Sequence, residues 1–149
     1  MESVACSADT LIERAQTVIF DASSIFPLDI VPDRLIIDLS KIVIMYREPL
    51  GQETEHTILL SEVRDVDIEV NYFIGTLRIL VSGPGVMWTS ITNLHKRDAV
   101  TAKHLIEGLL ISKAEQYDLS MLSISDLIAR LALVGNWNHG QKKQGTLSR

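Results

Sequence analysis

An α+β domain, mainly β, is what the sequence predicts, and three observations predict it. Apolar side chains recur at every second position through much of residues 34–92. Turn-forming residues divide those runs into short segments. From Lys96 the apolar period changes to 3.6, the period of a helix. About seven short strands followed by one long helix imply a bent antiparallel sheet or small barrel, with the helix against one face or opening. No internal repeat interrupts this order.

The elements follow in sequence. Residues 1–16 form an N-terminal extension, with a short helix expected around Ala8–Ala15. Thr17–Phe20 reads as a strand. Asp21–Asp33 reads as a loop, marked by Pro27 and Pro32. Its Ile25, Phe26, Leu28, Ile30 and Val31 are too apolar for open solvent, so burial across the domain surface is expected. Arg34–Leu39 and Lys41–Arg47 form a hairpin whose turn is supplied by Asp38 and Ser40. Glu48–Gln52 turns again, Thr54–Leu60 is a further strand, and Glu62–Asp65 breaks it. In Asp65–Asn71 the alternation puts Val66, Ile68 and Val70 inward and Asp65, Asp67 and Glu69 outward. Tyr72–Gly75 turns the chain, Thr76–Ser82 alternates through Leu77, Ile79 and Val81, Ser82–Gly85 turns, and Val86–Thr92 is the last strand.

Lys96–Gln116 carries Ala99, Ala102, Leu105, Ile106, Leu109 and Leu110 on one stripe. Lys96, Arg97, Lys103, Glu107 and Lys113 are expected on the solvated side. Gly108 inside this helix costs roughly 1 kcal/mol relative to Ala, which calls for a close neighbour. A second, short amphipathic helix is expected within 118–135. Ser123 and Asp126 resemble a capping box, and Gly135 suits the residue just past its end. Residues 136–149 read as a flexible, polar, basic tail. The domain proper is therefore 17–117.

The chain has 149 residues and a formal net charge of −5. Residues 1–135 hold −8 and residues 136–149 hold +3. An acidic body repels nucleic acid and anionic lipid at long range. Lys142 and Lys143, with Trp137 and His139, are too few cations for a nucleic-acid patch, so no nucleic-acid partner is expected. Met1–Ala15 lacks the basic-then-apolar order of a secretory signal, and no apolar run approaches the ~20 residues of a spanning helix. One cysteine, Cys6, fits a reducing compartment. A cytoplasmic location is the expectation.

Taken together, the order of strands and helix, with Thr17–Ala22, Phe26–Asp29, Pro32–Ile37, Val66–Ile68 and Lys96–Ala99, resembles the pleckstrin-homology-like fold. The resemblance covers roughly residues 17–116, and is to small uncharacterised bacterial proteins with this core. It implies a domain that binds lipid, binds peptide or serves as a scaffold. Phosphoinositide-binding members cluster Lys and Arg around the first hairpin loop. Here Arg34, Asp38, Ser40, Lys41 and Arg47 make no such cluster.

Chemical motifs are absent. Cys6 has no base placed beside it, so a catalytic nucleophile is not expected. His56, His95, His104 and His139 have no recurrent metal-ligand spacing, and in a strand Glu55 and His56 point to opposite faces. Gly83-Pro84-Gly85 lacks the Lys-Ser/Thr of a phosphate loop and opens no helix. Asp65, Asp67 and Glu69 read as the wet face of a half-buried strand. No catalytic residue, cofactor, metal or small-molecule substrate is implied. The partner-surface candidates are Leu127, Leu131 and Leu133 on the second helix, and Trp88 on the last strand; the other reading of that helix, and the favoured one, is burial against its own domain, and for Trp88 it is a place in the core. The expected function is a non-enzymatic interaction or structural module that binds a protein segment or itself. The alternative is a peripheral lipid-binding module, which requires the apolar 25–31 loop to be exposed.

Overall fold

Alternating side chains can bury one face only if register is held at the turns, and Asp38 holds the first one. Its Oδ1 accepts the backbone N–H groups of Ser40 and Lys41, both at 2.7 Å, and the Ser40 hydroxyl at 2.9 Å. That turn aligns strand β2 (Arg34–Asp38) with β3 (Lys41–Arg47), so Leu35 faces Ile44 and Ile37 faces Ile42. All four are completely buried. The computed structural model describes residues 17–116, 119 and 122–145, with side chains described as far as 136. The expected N-terminal helix, Cys6, and the side chains of Trp137, His139, Lys142 and Lys143 lie outside the described residues.

Strand β1 (Val18–Ser23) flanks β2, and β4 (Glu53–Leu59) flanks β3, giving a sheet of order β1-β2-β3-β4. Strand β1 runs past the expected stop at Phe20, because Asp21 sits opposite Ile36 on the wet face and pairs with Arg34. The Arg34 guanidinium, by hydrogen bond first, holds the Asp21 carboxyl below the usual carboxylate range. Strands β5 (Val63–Val70), β6 (Ile74–Ser82) and β7 (Val86–His95) make a second antiparallel sheet. The two sheets do not close into a barrel, contrary to one of the two forms the sequence suggested. Backbone bonds Leu60 N–H to Ser40 (2.9 Å) and Ser82 N–H to Glu62 (2.8 Å) span the β4–β5 connection. The Tyr46 hydroxyl donates to the Ser90 carbonyl at 2.7 Å and ties β3 to β7.

Helix α1 (Lys96–Ala114) packs on the second sheet, and helix α2 (Ile124–Gly145) packs on α1. Ala99, Ala102, Leu105, Ile106 and Leu109 join Leu77, Ile79, Ile91 and Leu94 in one core with the first sheet's apolar side chains. Each fully buried Leu or Ile contributes roughly 1.5–3 kcal/mol. At the start of α2, the Ser123 Oγ accepts the Asp126 N–H at 3.2 Å and donates to Asp126 Oδ2 at 2.7 Å, so Ser123 caps the helix as expected.

Glycine sets the distance between the helices. A Cβ at Gly108 would overlap the Leu131 carbonyl, and a Cβ at Gly135 would overlap the His104 carbonyl. These contacts lie one turn apart on each helix and run in opposite directions, so the helices are antiparallel with their backbones in contact. Gly135 therefore does not end the second helix. It is an interior close-approach residue, and the helix continues to Gly145 through residues expected to be a flexible tail. Leu127 and Leu131 belong to this seam, at 3% and 1% exposure, and offer no surface to a partner.

Coverage from two sides also overturns the expectation for Lys103 and Glu107. Both are buried, with a 2.8 Å ion pair between Lys103 Nζ and Glu107 Oε1. Glu107 Oε2 has no hydrogen-bond partner. A single-stripe reading of the helix cannot anticipate a second covered face.

Two stability predictions follow from the seam and the buried pair. Gly108→Ala should destabilise by roughly 3 kcal/mol through overpacking against backbone. Gly85→Ala should change stability by less than about 0.5 kcal/mol, since nothing lies within 4 Å of a Cβ there. Urea melts of both variants check this, and equal midpoints would refute the close seam. Lys103→Met alone should cost roughly 3–5 kcal/mol, because it strands a buried carboxylate. The double variant Lys103→Met/Glu107→Leu should recover most of that loss, as read by the same melts; a double variant as weak as the single would show that the charges themselves stabilise the fold.

Candidate docking corner

The 24–33 loop leaves β1 and returns to β2 through a closed neck. Ser24 N–H donates to the Asp33 carbonyl at 2.9 Å, and Asp33 N–H donates to Ser24 Oγ at 2.8 Å. The loop is then pinned to the end of β7. Ser24 bridges Leu94, and Ile25 N–H donates to the Asn93 carbonyl at 2.8 Å. The Asn93 side-chain amide donates to Asp29 Oδ1 at 3.0 Å, and Asp29 N–H donates back to the Ile25 carbonyl at 3.1 Å.

Asn93 can do this because it adopts φ +56° where the β6–β7 register shifts between Gly75 and Leu77. Asn tolerates this left-handed conformation better than β-branched or bulky residues do. The bulge turns its carbonyl and amide toward the loop. The neighbouring β5–β6 turn is fixed from the other side: Asn71 N–H donates to Ile74 at 2.8 Å, and Lys96 N–H donates to Phe73 at 2.9 Å. Gly75 lets this turn lie against α1, since a Cβ there would sit 2.5 Å from the Ala99 Cβ.

These anchors hold apolar side chains outward. Phe26, Leu28 and Ile30 on the loop are 68%, 55% and 73% exposed, and Tyr72 and Phe73 on the turn are 91% and 82% exposed. The expectation that the loop buries its apolar side chains thus fails for Phe26, Leu28 and Ile30, while Ile25 and Val31 are half-buried. Its hydrogen bonds go to Asn93 and Asp33 through backbone and side chain alike, which spends the underside of the loop on polar contacts and leaves the tips outside. An open groove of about 930 Å³ separates the two tips, with Ile25, Leu28, Phe73 and Ile74 on its walls and Lys96 and Arg97 at its rim. Neither Lys96 nor Arg97 forms an ion pair among the described residues. His95, which precedes α1, makes no side-chain capping bond to it. A second, more polar groove of about 730 Å³ adjoins the first and includes Arg34, Arg47 and His95.

The other sequence candidates stand elsewhere. Trp88 is 47% exposed near the start of β7, far along the strand from His95, with the Arg78 guanidinium stacked 5.4 Å from its ring centre. Leu133 is 69% exposed on α2. Neither shares the corner's groove. Asp65 and Asp67 each accept the next residue's N–H, and Glu69 pairs with Arg78, so the acidic row does not converge on one point. Among the described residues no three His, Cys, Asp or Glu side chains group as a metal set. Among them, too, no helix is long and apolar enough to cross a membrane. Tyr72, Phe73, Asn93, Lys96 and Arg97 were not singled out from the sequence as a site. The available signal was a pair of adjacent aromatics at a turn, where Gly, Asn or Asp is usual.

Asn93 is the joint on which the loop depends. Asp29 Oδ2 is buried with no hydrogen-bond partner among the described residues, so losing the Asn93 amide leaves that carboxylate without its side-chain donor there. Asn93→Ala should cost roughly 2 kcal/mol. Amide exchange at Ile25 and Asp29 should quicken more than at Ile79 in the core, and uniform exchange changes would show that the loop is held by other contacts. No family model, no curated protein and no solved structure matches this chain.

Proposed function

We propose that the chain is a non-enzymatic, pleckstrin-homology-like interaction module of the cytoplasm that binds a protein segment through the corner formed by loop 24–33, the 71–74 turn and the start of α1. Four strands, three strands and a following helix, in that order, support the resemblance. The observation that carries the function is the anchored loop. Monomeric proteins seldom expose contiguous apolar area without a partner for it. Here the backbone that carries the exposed side chains is also anchored, so little backbone ordering entropy remains to be lost on docking.

A second reading, peripheral binding to a lipid surface, draws support from the exposure of the same tips, since apolar loop tips beside cations also suit a bilayer interface.

A photo-crosslinking phenylalanine analogue at Phe26, expressed in the protein's own cells, tests the corner. The expected result is a discrete protein adduct that disappears when Phe73→Ser is added and does not form when the analogue replaces Glu55 on β4. Equal adducts from both positions, or none from Phe26, would overturn the assignment. Lipid adducts alone would select the second reading.

A further inference from the structure

The corner combines two kinds of surface that favour different parts of one ligand. Its walls are apolar, through Ile25, Leu28, Phe73 and Ile74, and its volume of about 930 Å³ admits more than one bulky side chain. Its rim carries Lys96 and Arg97, which have no ion-pair partner among the described residues. Both cations sit in the first turn of a 19-residue helix whose preceding residue, His95, gives no side-chain cap. The positive end of that helix adds to the same preference for an anion, although Asp98 in the same turn offsets part of it.

Resting on the docking reading above, we propose that the partner is an acidic–apolar protein segment. An aliphatic or aromatic anchor seats between Leu28 and Phe73, and a neighbouring carboxylate pairs with Lys96 or Arg97.

The charge distribution favours a short segment over a bilayer. A membrane presents a plane of negative charge and is felt over the whole facing surface of the protein, within a Debye length of ~8–10 Å. This chain carries −5 in total, and Asp29 and Asp98 lie in the corner itself. Recruitment to anionic lipid uses clusters of about four to eight cations; the groove has two, and Arg34 and Arg47 of the adjoining groove are already paired with Asp21 and Glu53. A peptide needs only local complementarity: one carboxylate beside an anchor meets the exposed Lys96 or Arg97, while Asp98 of the same groove is half-buried. The groove is also concave between the two tips, which gives a side chain walls to fill.

The test is a selection of random displayed peptides against the full chain, followed by fluorescence anisotropy with a labelled selected peptide. Enriched peptides should pair Asp or Glu with a bulky apolar residue. Affinity should fall by roughly tenfold or more in Lys96→Glu/Arg97→Glu and in Phe73→Ser, and should weaken as salt rises from ~50 to ~300 mM. Lys113→Glu, at the other end of α1, should leave it unchanged. Circular dichroism and melting temperature confirm that each variant is folded. Enrichment without acidic residues, or affinity indifferent to Lys96→Glu/Arg97→Glu, would overturn the proposal. So would tighter binding to phosphatidylserine vesicles than to any selected peptide. The Phe26 crosslink separates the two levels. An adduct that persists in Lys96→Glu/Arg97→Glu retains the docking corner and rejects the acidic partner, whereas no adduct in either background rejects the corner itself.

Discussion

No residue separates β7 from α1: the strand ends at His95 and the helix begins at Lys96. A junction without a linker leaves the helix no freedom of its own, so its position depends on the register of β7. That register shifts at one place, between Gly75 and Leu77 on the opposing strand, where Asn93 takes its positive φ. The shift settles several things together. It sends Leu94 inward to complete the core, places Lys96 N–H on the Phe73 carbonyl, and frees Asn93 to hold the 24–33 loop. Core, helix placement and exposed corner are consequences of one irregularity in a ladder.

The strands were legible because each needs only local information. Alternation identifies Val66, Leu77 and Ile79 as inward residues, and Asp38 followed by Ser40 announces a turn that the hydrogen bonds reproduce. The features that were not legible all depend on a second surface. Lys103 and Glu107 look solvated while α1 is considered as a helix with one buried stripe. Gly135 looks like a terminator until a second backbone is brought against it. Burial of the Leu127 and Leu131 stripe against the chain itself is the favoured reading of the sequence, but that α1 is what covers it is not legible there. Closure of the sheets is a long-range property in the same sense, and alternation is silent about it.

The 25–31 loop shows the opposite failure. Its composition predicts burial, because exposure of Phe26, Leu28 and Ile30 is costly. Burial, however, requires apolar partners in contact, and the groups that hold the loop, Asn93 and Asp33, are polar, while Phe73 and Ile74 stand across an open groove. A loop held by polar groups beneath is stable in an orientation that its apolar side chains alone would not select. The stabilisation lies in the anchors and the cost lies in the tips. A loop tip under no constraint to stay apolar would ordinarily be polar, yet Tyr72 and Phe73 continue the same pattern on an independent turn.

Two separate segments that meet only in the folded chain thus present the same chemistry at the same corner. Chance exposure of single apolar residues is common on protein surfaces, and Leu50 at 93% exposure and Val86 at 74% are instances here. What distinguishes the corner is that its apolar tips flank a groove, that both tips are pinned by backbone hydrogen bonds, and that Lys96 and Arg97, without an ion pair among the described residues, stand beside it. Pinning matters most for affinity. A mobile apolar loop pays its ordering cost at the moment of binding, whereas this loop has paid it during folding through Asn93 and the Ser24–Asp33 neck. The conformation of the corner is therefore coupled to the stability of β7 itself, and a substitution at the bulge loosens the loop without altering any of its exposed side chains.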